Sequence, residues 1–169
     1  LLSRPGYDTR PTTSRVKEAI MSAIHFEIPE SHVLDLFAGT GQLGIETLSR
    51  GAKDCVFVEL SSEADSVIRE NLKRTNFSDR ARRYKADVMS WLARANETFD
   101  IVFIDPPYDK DILPEVLPLV EKLMNDQGVI VCESSHTDKI PETVGRFSIF
   151  RDYDYGKRKV TMYRLTESE

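Results

Sequence analysis

The chain has 169 residues, 40% hydrophobic and 30% charged, with a formal net charge of -5. That is the balance of one ordinary globular domain, residues 1–169, with a sizeable core. No apolar run has bilayer-spanning length, no signal-peptide pattern opens the chain, and the acidic balance argues against wholesale polyanion binding.

Residues 1–11 read as irregular, with Pro5, Gly6 and Pro11. The chain opens Leu1-Leu2-Ser3 without methionine, so a truncated or processed N-terminus is expected. Val16, Ala19, Ile20, Ala23 and Ile24 recur at the spacing of one helical face, capped by Thr12 or Thr13 and ended by Pro29. Strands and helices then alternate. The spacing predicts strands at Val33–Phe37, Cys55–Val58, Arg83–Ala86, Ile101–Ile104 and Val129–Cys132. It predicts helices at Leu43–Arg50, Ser62–Thr75, Val88–Ala95 and Ile112–Met124, the last containing Pro114 and Pro118. Phe147–Tyr153 and Val160–Leu165 alternate apolar and polar residues about a turn, a hairpin pattern.

Five short apolar strands separated by helices imply a parallel sheet covered on both faces, with the hairpin as an antiparallel edge. The fold expected is α/β, a Rossmann-like sandwich with a seven-stranded, mostly parallel sheet. Ligands in such sheets bind beyond the carboxyl ends of the strands. Cys55 and Cys132 each lie in an apolar run and read as buried free thiols of a reducing, cytoplasmic compartment. His25, His32 and His136 are scattered, no Cys/His cluster has ligand spacing, and no metal is expected.

Gly39, Gly41 and Gly44 satisfy G-x-G-x-x-G between the first strand and the next helix. Such glycines allow a tight turn and close ligand approach. Glu59 ends the next strand, where an acid accepts hydrogen bonds from ribose hydroxyls. A dinucleotide needs the helix N-terminus for its pyrophosphate. Asp35, just before the glycine turn, sits badly beside a pyrophosphate and suits an ammonium. Asp87 can accept from an adenine amine or cap the helix that starts at Val88. Acids at three successive strand ends describe a pocket for S-adenosylmethionine, which carries a sulfonium and no phosphate. The pocket set is Asp35, Phe37, Gly39, Gly41, Glu59, Leu60, Asp87, Val88 and Asp105.

The apolar strand Ile101–Ile104 runs into Asp105-Pro106-Pro107-Tyr108. Two prolines fix the backbone and leave carbonyls free to face a site. An exocyclic nucleobase amine is a poor nucleophile, because its lone pair is delocalised into the ring. Hydrogen bonds from its N–H groups to Asp105 and the Pro106 carbonyl hold it and favour tetrahedral geometry, while Tyr108 stacks on the base. Positioning and electrostatics carry the work. The motif predicts catalysis by Asp105, Pro106, Pro107 and Tyr108.

Basic residues fall into three clusters: Arg4, Arg10, Arg15 and Lys17; Arg80, Arg82, Arg83 and Lys85; and Lys157, Arg158 and Lys159. Convergence of the three on one rim would suit a polyanion. Arg10, Arg15, Arg82, Arg83, Lys157 and Arg158 are the expected RNA contacts.

Nearly the whole chain resembles the class I methyltransferases of the RsmD type, which methylate the N2 amine of a guanine in bacterial small-subunit ribosomal RNA. Thr9-Arg10-Pro11-Thr12 with Arg15-Val16-Lys17-Glu18-Ala19 resembles the N-terminal signature of that family. Leu34 to Gly41 with Leu43-Gly44-Ile45-Glu46 resembles its cofactor loop, continued by Leu48-Ser49-Arg50-Gly51-Ala52 and Phe57-Val58-Glu59. Asp105-Pro106-Pro107-Tyr108 resembles its catalytic motif, and Tyr155-Gly156 lies where the family carries its last hairpin. The resemblance implies a monomeric enzyme whose substrate is 16S ribosomal RNA within a small-subunit assembly intermediate. It also implies a basic β-hairpin ahead of Thr9-Arg10, most of which is expected to be missing, and a less basic final turn than Lys157-Arg158-Lys159.

Other readings stay open on sequence. Adenine N6 is another amine of the same kind. A protein glutamine fits less well, since glutamine methyltransferases carry Asn in place of Asp105. A nicotinamide-dependent oxidoreductase would use the glycines and leave Asp105 to Tyr108 unexplained. A non-catalytic RNA-binding module leaves the acids unexplained.

Overall fold

The structure, a computed structural model, describes residues 14–108 and 110–167. Helix α1 spans Ser14–Ala23 and buries Val16, Ile20 and Met21. The expected caps Thr12 and Thr13, and Arg10, lie outside the described residues. Strand β1 is His32–Leu36, α2 is Gln42–Ser49, β2 is Asp54–Glu59 and α3 is Ser62–Thr75. Ser61 caps α3 by accepting from the Ala64 N–H at 3.2 Å, and Asn76 closes it in the left-handed region. Strand β3 is Ala81–Lys85, α4 is Val88–Arg94 and β4 is Phe99–Ile104.

Helix α5, Leu113–Glu121, ends earlier than the expected Met124. Val120, Leu123 and Met124 keep the spacing of a helical face, but Met124 pairs with Phe99 and starts a long β5, Met124–Ser134. Pro114 lies in the first turn of α5, where its missing N–H is harmless. A two-residue strand β6 at Thr143–Val144 precedes β7, Phe147–Tyr155, and β8, Arg158–Leu165.

The strands form one sheet in the order β3-β2-β1-β4-β5-β8-β7-β6, so it has eight strands where seven were expected. The eighth is β6, too short to leave a periodic signal. β3 to β5 pair in parallel and β8 joins β5 antiparallel, as alternating elements followed by a hairpin require. Side chains alternate across the sheet and build two cores. Val33, Phe57, Phe103 and Val131 pack with Ile20, Leu48 and Ile68 of α1, α2 and α3. Leu34, Val58, Val102 and Ile130 pack with Leu92 and Val116 of α4 and α5. Cys55 and Cys132 are buried free thiols. Among the described residues no helix is long and apolar enough to cross a membrane, and no acid, histidine and cysteine cluster could hold a metal.

Candidate active site

The carboxyl ends of the parallel strands carry two groups of acids. The first surrounds the glycine loop. Phe37 directly follows β1 in the left-handed region at φ 56°, and Gly39 and Gly41 come next at φ 59° and 79°. The loop is tied down by the Ala38 N–H to the Val58 carbonyl at 3.2 Å and by the Asn71 amide to the Thr40 carbonyl at 3.1 Å. A Cβ on Gly39 would meet nothing within 4 Å, so space opens in front of the loop for a ligand. Gly44 faces the other way. A Cβ there would stand 2.5 Å from the Phe57 ring and 2.7 Å from the Cys55 sulfur, which sets how closely α2 packs on β2.

Each acid of this group is held by backbone. Glu59 accepts from the Gly39 N–H at 2.9 Å with Oε1 and from the Ser61 N–H at 2.9 Å with Oε2. Asp35 accepts from the Gly44 N–H at 3.1 Å. Burial pushes the Asp35 carboxyl up to about 8, against the pull of that hydrogen bond. Asp87 accepts from the Ser90 N–H at 3.0 Å and so caps α4, the second role expected for it. Beside Glu59, Leu60 is 63% exposed, a large apolar side chain with no core to fill, while Val88 is buried.

The second group lies one strand over. Asp105 directly follows β4, Pro106 is buried and Pro107 exposed. Ile104 pairs with Cys132, so the residues that follow them, Asp105 just past β4 and Glu133 within β5, lie side by side. The Asp105 carboxyl is hydrogen-bonded to Glu133, whose side chain is 1% exposed. Arg158, at the start of β8, donates to the Tyr108 hydroxyl at 2.8 Å and lies 3.5 Å from Glu133. Burial raises the Asp105 carboxyl well above the usual carboxylate range, and the neighbouring Glu133 raises it further. Burial likewise raises the Tyr108 hydroxyl.

Sequence reasoning missed Glu133. A signal existed: like Asp35, Glu59 and Asp105, it is an acid at the end of an apolar strand. Arg158 was expected as a surface RNA contact. The structure places it in the site, with a side chain only 13% exposed.

The other basic residues do not gather. Arg82 and Arg83 lie on the edge strand β3, separated from the β7–β8 hairpin by four strands. They are paired, Arg82 with Glu97 at 2.5 Å and Arg83 with Asp65 at 2.6 Å. Arg80 donates to the Leu48 carbonyl, and Lys17 pairs with Glu46. The expected single rim is therefore not formed by the second and third clusters. Arg15 does meet the hairpin, its guanidinium 5.7 Å from the centre of the Tyr155 ring, and Lys157 is exposed at the turn.

The family model described as Conserved hypothetical protein 95 matches residues 1–164. The chain belongs to that family, of the RsmD type. A Bacillus subtilis (strain 168) protein named "Putative rRNA methyltransferase YlbH" is 37% identical over 164 residues, 94% of this chain and 89% of the relative. The Escherichia coli (strain K12) Ribosomal RNA small subunit methyltransferase D is 33% identical over 162 residues, 95% of this chain and 80% of the relative. A solved Escherichia coli structure, "Putative methyltransferase yhhF", superposes with a TM-score of 0.84 at 32% identity, covering 92% of this chain and 87% of the other. The fold is thus that of the Rossmann-like class I methyltransferases, with the antiparallel hairpin at its C-terminal end.

Proposed function

We propose that the chain is a ribosomal RNA methyltransferase that uses S-adenosylmethionine to methylate the exocyclic N2 amine of a guanine in small-subunit (16S) RNA. The observation that carries the reading is Asp105-Pro106-Pro107-Tyr108 at the end of β4, beside a glycine loop ringed by acids. The names of the relatives support RNA as substrate class.

The pocket fits the cofactor. Gly39 leaves open space, Glu59 would suit the ribose hydroxyls, Leu60 and Val88 would offer apolar surface to the adenine, and Asp87 would suit its amine. Asp35 would hold the ammonium of the amino-acid end through its carboxyl. When bound, the cofactor supplies a methyl group already activated on a sulfonium. The residues of the chain do the rest. Asp105 and the Pro106 carbonyl accept from the two N–H groups of the target amine, Pro107 keeps the turn rigid, and Tyr108 stacks on a base that is unpaired or turned out. The target nitrogen would take up that methyl group, with the thioether as the leaving group. The product proton leaves afterwards, so no strong base is required. Arg15 and Lys157, near the hairpin, are the better RNA contacts. The protein is read as a cytoplasmic monomer acting on a small-subunit assembly intermediate.

The test is incubation with labelled cofactor and small-subunit RNA, naked or in partly assembled particles, followed by nucleoside analysis. N2-methylguanosine is the expected product. Label only in methyladenosine would redirect the reading to the adenine amine, and tight NADH binding by calorimetry would sink it.

A further inference from the structure

We propose that Glu133 and Arg158 are positioning residues for the catalytic motif. Glu133 shares one proton with Asp105 in the hydrogen bond that orients the Asp105 carboxyl. Arg158 joins Glu133 to the Tyr108 hydroxyl, so acid and ring are set as one unit. This rests on the amine-methylating reading above.

The geometry is specific. Asp105 comes from the end of β4, Glu133 from β5, Arg158 from β8 and Tyr108 from the loop after β4. Odd-numbered residues of β4 and β5 and even-numbered residues of β8 face the same core, as Phe103, Val131 and Val160 do. That alternation turns Asp105, Glu133 and Arg158 toward one another. Glu133 is fully buried and in hydrogen-bond contact with Asp105, and two carboxyls so placed cannot both stay ionised, so one proton lies between them. The remaining negative charge is balanced by Arg158, whose guanidinium reaches Glu133 at 3.5 Å and Tyr108 at 2.8 Å. One Asp105 oxygen is thereby pinned by Glu133 and the other is left for the target amine. Asp35 of β1, itself under the influence of Glu59 of β2, adds a further negative neighbour that raises Asp105.

The functional role of Glu133 separates from mere packing by the conservative variant and by pH. In Glu133→Gln an amide N–H still donates to Asp105, and that donor cannot be titrated away. In Glu133→Ala no donor remains. Single-turnover methyl transfer at saturating RNA should fall about 10- to 100-fold in Glu133→Ala. Glu133→Gln should stay within a few-fold of wild type, taken here as roughly threefold. In the wild type, raising pH strips the shared proton, the two carboxylates repel, and the rate declines on the alkaline side. In Glu133→Gln that decline should be absent. Cofactor binding, followed by calorimetry, should be unchanged in both variants and certifies the fold. Arg158→Met should raise the apparent KM for RNA and leave cofactor binding alone.

Infrared spectra at neutral pH give a readout without substrate: the protonated-carboxyl band should be weaker in Glu133→Gln by one group. The inference falls if Glu133→Gln and Glu133→Ala transfer at the same rate, if Glu133→Gln keeps the alkaline decline, or if the carboxyl band is unchanged. An RNA KM of wild-type size in Arg158→Met removes Arg158 from the unit. A wild type that binds cofactor and methylates no RNA would overturn the functional reading instead, and the infrared comparison would then decide the proton pair alone.

Discussion

The two halves of the site hold their acids in opposite ways. Around the glycine loop, Asp35, Glu59 and Asp87 accept from backbone N–H groups of the loops and helices that follow their own strands or a neighbouring one. Around Asp105, the partners are side chains: Glu133 from another strand, and Arg158 fifty positions from the Tyr108 it contacts. A backbone-held acid keeps its geometry as long as the loop does and tolerates many neighbours. A side-chain-held acid depends on the identity of each partner. The proposed cofactor binding thus rests on local structure and the proposed chemistry on long-range structure, and substitutions should act accordingly.

The sharpest separation is expected from Asp105→Ala. Cofactor affinity should be nearly unchanged while single-turnover methyl transfer falls about 10²–10³-fold, the usual effect of losing one aligned polar partner. Transfer at the wild-type rate would mean that something else holds the amine. Glu59→Ala should do the reverse, weakening cofactor binding by about 1.5–3 kcal/mol through loss of a charge-assisted acceptor. Calorimetry that finds wild-type affinity would break the assignment of the ribose to Glu59.

Gly44→Ala probes the scaffold beneath the first half. The added methyl would meet the Phe57 ring at 2.5 Å, so stability should drop by about 1–3 kcal/mol in denaturant or thermal melts. Unchanged melting would show that α2 can lift off β2 freely.

The smallest expected effect is a pH dependence of cofactor affinity. With its folded-state carboxyl at about 8, Asp35 holds a proton in the free protein at neutral pH. An ammonium placed beside it favours the ionised form, so binding releases that proton. Affinity should rise with pH, by at most about tenfold per unit, and level off above the Asp35 value. Calorimetry in buffers of different ionisation heat checks this. A proton count of zero near neutrality would detach Asp35 from the cofactor. The same shift makes Asp35 a destabilising group for the unliganded fold as pH rises. The folded state binds a proton that the unfolded chain gives up near the ordinary 3.8, so stability declines between that value and about 8.

The same local-versus-distant contrast explains what was legible in the sequence. The glycine loop, the acids at strand ends and the Asp105 motif are each contiguous, and the strand–helix alternation around them has clear periods. Glu133 obeys the same strand-end rule, but no motif surrounds it to mark it as part of a site. Arg158 was not readable. Between Lys157 and Lys159 it looks like any charged turn residue, and only the β5–β8 register turns it inward. The convergence of the basic clusters failed for a related reason, since strand order cannot be read from local composition. The end of α5 is not legible because Val120, Leu123 and Met124 continue its helical spacing, and only the pairing of Met124 with Phe99 makes that end a strand.

The sheet order has a consequence for synthesis. β5 is a nearly all-apolar strand from Val129 to Cys132, and one of its two hydrogen-bonding edges is covered only by β8, residues 158–165. While a ribosome is still making the hairpin, that edge is bare, a template on which a second nascent chain could pair. The same late residues deliver Arg158. Every copy is therefore exposed to edge-to-edge misassembly for as long as it lacks the means to set Tyr108, and closing the edge and completing the site are a single folding event.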